Sequence, residues 1–206
     1  MTRLNLGCGP VHFDQNEGWV NIDFDSAYAP DVVADVRQLP FEDNSIEEVY
    51  ASHLLEHFSY DEPVLEEWFR VLAKNGNITI VVPDILGVWF AWKAGYAWGS
   101  PDPKPIDLSY VNATVFGARF IDDNFIALSH EHKQIFIMDM LIERMRPLFP
   151  DVVQLSSIEL PGMPRRNALP GETLVCGTKT RNRGPVFIVK GKGGKVTPED
   201  MAARSD

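Results

Sequence analysis

Short apolar runs, each closed by glycine or a polar residue, recur through the first quarter of the chain before any helical pattern appears. Arg3–Leu6, Val20–Asp23, Val32–Ala34 and Ile46–Ala51 are each too short for a helix. Where such runs are followed by helical patterns, the expectation is a parallel sheet built from βαβ units. The first helix is expected over Asp61–Leu72. Ser59 and Glu62 can form a capping box, Pro63 suits a first turn, and Val64, Leu65, Trp68, Val71 and Leu72 share one face. Asn75-Gly76 is expected to end that helix in a left-handed cap, and Ile78–Val82 reads as a fifth, fully apolar strand. A later helix is expected over Ile135–Leu148, with Met138, Leu141, Ile142, Met145 and Leu148 on one face. Strands at Val152–Leu160 and Glu172–Thr178 would finish the sheet.

This organisation predicts one domain over residues 1–180 and a basic, glycine-rich tail over 181–206. The tail carries six of the 19 basic residues and only three of the 29 acidic ones. Val186–Val189 within it can add an edge strand. Residues 84–131 interrupt the rhythm with turn chemistry and hold nine of the 22 aromatic residues, as expected of a lid or of a face for a homodimer. Two distant cysteines, Cys8 and Cys176, give neither a disulfide framework nor a zinc motif and fit a reducing cytoplasm. The longest apolar run, Ile85–Trp92, falls far short of the ~20 residues of a bilayer span. A net charge of −10 argues against a nucleic-acid partner, which demands clustered Lys and Arg.

The chemistry concentrates in Leu4-Asn-Leu-Gly-Cys-Gly-Pro10. Glycines at positions 7 and 9 let the backbone turn sharply at the carboxyl end of the first strand, where open α/β sheets bind nucleotides. Asp23 closes the second strand, where a carboxylate can accept both hydroxyls of a ribose, and Asp35 follows the third. With Asn-Ile-Asp at 21–23, Ala-Asp-Val-Arg-Gln-Leu-Pro-Phe at 34–41, Ala-Ser-His-Leu-Leu-Glu-His at 51–57 and Arg-Val-Leu-Ala-Lys-Asn-Gly-Asn at 70–77, the chain resembles the class I S-adenosylmethionine-dependent methyltransferases, specifically the small Methyltransf_11-like group.

That resemblance implies a three-layer, Rossmann-like α/β sandwich whose seven-stranded sheet is mostly parallel, with an antiparallel strand near the C-terminus. It implies S-adenosylmethionine as cofactor. Gly7, Cys8 and Gly9 would make room for the methionine part and the ribose, and Asp23 would hold the ribose hydroxyls. Asp35 and the Val36 N–H would meet the adenine, and Ser52 and His53 would lie beside the sulfonium and the substrate. The family's usual acid in the first motif is Asn5 here, and Pro10 and Val11 stand where a third glycine would follow. The connection Pro10–Trp19 is too short for a full helix.

Methyl transfer needs alignment above all, and a base only when the acceptor must lose a proton. His53, His57 and His132 are the candidate catalytic residues, with Glu56, Asp84, His130, Glu131 and Lys133 near the expected mouth. His130 and His132 supply only two local metal ligands, so no metal is expected. A nicotinamide oxidoreductase is disfavoured because His12 occupies the third glycine's place in the dinucleotide fingerprint. DNA base methylation lacks its Asn/Asp-Pro-Pro-aromatic motif, since Ser52-His-Leu-Leu stands there. The expected activity is methyl transfer to an oxygen or nitrogen atom of a small molecule, with a sugar or polysaccharide precursor preferred. The alternative is a cofactor-binding docking module without turnover.

Overall fold

Seven strands hydrogen-bond in the order β3-β2-β1-β4-β5-β9-β6. They are β1 (Arg3–Leu6), β2 (Trp19–Asp23), β3 (Val32–Val33), β4 (Ile46–Ser52), β5 (Leu72–Pro83), β6 (Val153–Leu155) and β9 (Glu172–Thr178). The computed structural model describes residues 2–93, 132–155 and 172–180, and the short strands β7 (Ser157–Ile158), β8 (Arg166–Asn167), β10 (Phe187–Ile188) and β11 (Lys195–Val196). Strands β1 to β5 pair in parallel, and β9 runs antiparallel to both β5 and β6. This is the α/β sheet that the sequence predicts, with its antiparallel strand near the C-terminus.

The central strands are buried on both faces, and their sequences show it. Leu4, Leu6, Val49, Ala51, Ile78 and Ile80 are fully buried on one face, and Asn5, Tyr50 and Thr79 are buried on the other. A strand inside a parallel sheet has no wet face, so apolar residues need not alternate with polar ones. Helix α1 (Val64–Val71) covers this core with Val64, Leu65, Trp68, Phe69 and Val71. The helix begins at Val64 after Pro63 and not at Asp61, so the expected capping box does not form at its start; Glu62 Oε1 accepts from the Ser59 N–H at 2.7 Å in the turn before it. Helix α1 also carries the loop before it. Trp68 Nε1 donates to the Val36 carbonyl at 3.1 Å, and Arg70 donates to the carbonyls of Leu39 and Phe41. Further along the chain, helices α2 (Ile85–Lys93) and α3 (Met138–Met145) follow. Helix α3 buries Leu141 and Met145, and the turn after it buries Leu148.

Three further local expectations are corrected. Asn75-Gly76 does not cap a helix, because α1 ends at Val71 and β5 begins at Leu72. Asn75 does take a left-handed φ of 67°, but its N–H donates to the Lys179 carbonyl, and the Gly76 carbonyl accepts from Lys179 N–H. The turn residues therefore sit in a bulge of β5 where its register with β4 shifts, and a Cβ at Gly76 would lie 2.8 Å from the Glu47 carbonyl oxygen. The run at Val152–Leu160 divides into β6, in the main sheet, and β7, which pairs with β8. In the tail, β10 pairs with β11 in a separate two-stranded sheet rather than extending the main one.

Helix α2 opens the 84–131 segment; the rest of the expected lid and dimer face lies outside the described residues. Asp84 caps α2, its carboxylate accepting from the Leu86 and Gly87 N–H groups, which accounts for its position without a role as a base. Among the described residues, no helix is long and apolar enough to cross a membrane.

Lys179 is fully buried and locks the far end of the sheet. Its ammonium donates to Asn44 Oδ1, the Phe69 carbonyl and the Leu72 carbonyl at 2.9, 2.7 and 2.5 Å. Burial pushes it down from 10.5 to about 8. The unfolded chain therefore holds this proton more tightly, and unfolding takes up a proton between those two values, so stability rises with pH across that window. Below it both states are charged and the burial penalty is constant. Lys179→Met should remove the rise, narrowing the difference between denaturation midpoints measured near about pH 7.5 and about pH 10.5 relative to the parent.

Candidate functional site

The strand order reverses between β1 and β4, and the carboxyl ends of those strands open onto a cavity of about 820 Å³. Such a switch point is where open α/β sheets take ligands, and the volume lies within the ~300–1,000 Å³ of small-molecule sites.

Gly7 and Gly9 form its floor, with φ of 60° and 49°. The two glycines have different reasons. A Cβ at Gly7 would lie 2.7 Å from Leu54 Cδ1, so this glycine admits the β4 loop. A Cβ at Gly9 would meet nothing within 4 Å, so this glycine keeps space open for a ligand. Cys8 between them is buried, and its thiol is pushed up to about 11 by burial and by Asp23 and Asp31, which keeps it protonated and unreactive.

Asn5 is buried, and its amide closes the first connection. Nδ2 donates to the Val11 carbonyl at 2.9 Å and to Asn21 Oδ1 at 3.0 Å. A carboxylate has no proton to donate to either, which gives Asn5 a physical reason to depart from the family's acid. Asn21 completes the closure. Its Oδ1 also accepts from Phe13 N–H, its Nδ2 donates to the Phe13 carbonyl and Asp31 Oδ2, and its own N–H donates to Asp31 Oδ2. The connection contains only a 3-10 turn, Gln15–Glu17, as its length predicts.

Asp23 ends β2 on the cavity wall, 6% exposed. Its Oδ2 accepts from Gly9 N–H at 2.9 Å and its Oδ1 from Asp25 N–H at 3.0 Å. These bonds fix the carboxylate and leave further lone pairs on both oxygens. Asp35 and Val36 line the same wall. Asp35 is committed to Arg37, which reaches it through Nε at 3.0 Å, Nη2 at 2.7 Å and the backbone N–H at 2.9 Å. These Arg37 side-chain hydrogen bonds hold the Asp35 carboxyl below its usual value. A ligand amino group would share Asp35 with Arg37, itself a cavity residue that none of the sequence motifs singles out. Its spacing is the signal that could have found it, since an arginine two residues after an aspartate can fold back onto it. Phe24 and Tyr28 also line the cavity beyond Asp23, and Phe24 is 68% exposed, an open aromatic face at the rim.

Ser52 ends β4, and His53 follows it with a left-handed φ of 52°. Its N–H still donates to the Val81 carbonyl, so the chain leaves the sheet abruptly and swings the imidazole onto the cavity wall. His53 Nδ1 lies 3.3 Å from Glu56 Oε1. His57 lines the cavity too. His132 lines a smaller adjoining cleft with Glu56, and its ring packs edge-on against that of His57, centroids 5.0 Å apart. His130 and Glu131 lie outside the described residues.

Gln134 brings these distant segments together, and nothing local in the sequence points to it. Its Nε2 donates to the carbonyls of Leu55 and Phe58 at 2.9 and 2.8 Å, while its Oε1 accepts from Arg144 Nη1 at 2.5 Å. The Lys133 N–H donates to the Glu56 carbonyl at 2.8 Å.

Residues 4–80 match the family model described as a methyltransferase domain. The match covers less than half of the chain. A search of curated proteins gives no match. Solved structures share the fold at low identity. An S-adenosylmethionine dependent methyltransferase from Mesorhizobium loti is 15% identical with a TM-score of 0.51, covering 86% of this chain and 90% of that one. One from Archaeoglobus fulgidus is 16% identical with a TM-score of 0.51, covering 86% of each chain. The CurJ carbon methyltransferase is 14% identical with a TM-score of 0.54, covering 88% of this chain and 49% of that one. The fold does not by itself choose the acceptor atom. Two of these neighbours are S-adenosylmethionine-dependent methyltransferases. The open space over Gly9 and the fixed Asp23 carboxylate fit the ribose of a nucleoside cofactor of that kind.

The two glycines separate folding from cofactor binding. Gly7→Ala should lower stability by ~1–3 kcal/mol through overpacking against Leu54 and a strained φ. Gly9→Ala should cost only ~1 kcal/mol of backbone strain while weakening S-adenosylmethionine binding at least tenfold. Thermal unfolding and calorimetric titration of both variants check this.

Proposed function

We propose that this methyltransferase transfers a methyl group to an oxygen or nitrogen atom of a small molecule, with a sugar or polysaccharide precursor as the favoured class. The observation that carries this reading is a single cavity with a ribose-type carboxylate, Asp23, on one wall and two imidazoles, His53 and His57, on another. The charge of −10 disfavours nucleic acid, and the aromatic enrichment of 84–131 favours a ring substrate. A cytoplasmic setting suits its two unbridged cysteines.

Bound S-adenosylmethionine supplies an electrophilic methyl group. Gly9 and Asp23 would hold its ribose, and Asp35 and Val36 its adenine. Asn5, Gly7, Cys8 and Ser52 shape the floor between them. Alignment of the acceptor against the open end of β4 is then the main catalytic contribution. For a hydroxyl acceptor we assign the proton to His53, which lines the cavity at the end of β4 and whose Nδ1 lies 3.3 Å from Glu56 Oε1. His57 and His132, which face each other, stand behind it.

Thermal unfolding with S-adenosylmethionine, S-adenosylhomocysteine and NAD tests the cofactor. At about 100 times the dissociation constant, a native-state ligand adds ~2.7 kcal/mol, a rise of roughly 5–10 °C for a chain of this size. The sulfonium pair should produce it and NAD should not. Asp23→Ala should weaken that binding by about 10–100-fold, the worth of a charge-assisted hydrogen bond. Incubation with labelled cofactor and a panel of sugars, alcohols and amines tests the reaction. His53→Ala should slow transfer to a hydroxyl by about 10²–10⁴-fold while leaving the thermal shift intact. Cofactor binding without transfer to any acceptor would replace the enzyme reading with that of a docking module.

A further inference from the structure

We propose that Glu56, His57 and His132 bind a divalent transition-metal cation of the zinc class. One ligand atom from each residue lies within 4.8 Å of the other two. The donor set is two imidazole nitrogens and one carboxylate oxygen, which suits a borderline d-block ion and not the all-oxygen preference of calcium or magnesium. Three protein ligands leave coordination positions open.

The strongest independent observation is Glu56 itself. Its side chain is 1% exposed, yet neither carboxylate oxygen accepts a hydrogen bond among the described residues. Contact with His53 at 3.3 Å lacks hydrogen-bond geometry, and the nearby Lys133 ammonium is directed to Glu62 instead. A buried carboxylate that accepts no hydrogen bond is costly, and a bound cation would offset that cost at both oxygens.

The ring geometry agrees. Two imidazoles on one ion, with metal–nitrogen bonds of about 2.0–2.1 Å, hold their centroids about 4.5–5.2 Å apart. The His57 and His132 centroids are 5.0 Å apart and their planes are inclined at 70°. The frame around them is fixed. Glu56 and His57 sit on a 3-10 turn, Leu55–His57, and the residues after His132 are bonded to it through Lys133 N–H and the Gln134 side chain. The expectation of no metal rested on two local ligands, His130 and His132. Here Glu56 and His57 come from one segment and His132 from another, so the fold gathers a set of three that no local spacing displays. The ion would lie between the cofactor cavity, which His57 lines, and the smaller cleft lined by Glu56 and His132.

The test uses the full chain, stripped with a chelator and dialysed. Cobalt(II) should bind with a stoichiometry of one and give visible d–d absorption. Zinc(II) should compete it away. His132→Ala and Glu56→Gln should each weaken cobalt binding at least tenfold, since even changes beyond the ligands cost about 10–100-fold. His12→Ala should bind as the parent does. The imidazole NMR signals of the unmutated chain give a second readout that needs no variant. Of its five histidines, His57 and His132 should shift most on zinc addition, His53 beside Glu56 less, and His12 not at all. Absence of cobalt absorption, unchanged affinity in His132→Ala, or zinc shifts spread over all five imidazoles would each overturn the proposal.

Discussion

A parallel sheet whose first connection contains no α-helix must find other partners for the backbone of that connection, and here one buried amide supplies them. Asn21 accepts from Asn5 and from Phe13 N–H, and returns donors to the Phe13 carbonyl and Asp31. Unpaired, these buried groups would each cost about 1–3 kcal/mol. Paired, they fix the course of the chain from Val11 to Asp31 and thereby the wall that carries Asp23. The cavity is wide because a polar network of small side chains replaces a helix that would otherwise occupy the space.

The second wall is built on a different principle. Where the first rests on neighbours in sequence, the wall after β4 is held from outside by residues 133, 134 and 144. Gln134 is satisfied at both ends of its amide, and Arg144, whose charge burial disfavours, is retained where it bonds that amide and the Tyr60 carbonyl. The histidines of the site thus depend on one clamp from residues 133, 134 and 144, and the wall that carries Asp23 and Asp35 depends on the Asn21 network and on α1, whose Trp68 and Arg70 hold the carbonyls of Val36, Leu39 and Phe41.

This difference explains what could be read in the sequence. Gly7, Gly9 and Asp23 sit at strand ends, and strand ends are visible in one dimension because apolar runs stop there. The placement of Asn5 was legible as a departure, but its reason required Asn21 opposite it. Asn75-Gly76 carried true turn chemistry, yet its partner was Lys179, more than a hundred residues away, so the same residues marked a bulge instead of a helix end. Asp35 was visible as a carboxylate, and Arg37 was equally visible, but only geometry tells that the two engage each other. The pairing of His57 with His132 had no local signal at all, because it depends on the Gln134 clamp.

That clamp also imposes an order of events on the growing chain. Residues up to Arg70 contain the wall that carries Asp23 together with the helix that braces it, and the contacts among them close shorter loops than the clamp does. The clamp closes a loop of more than seventy residues, and long-range contacts form late because the entropy of closure precedes their reward. The wall that carries Asp23 can therefore be in place while the histidine wall is still open, so loop length sets the order in which the two sides of the cavity form.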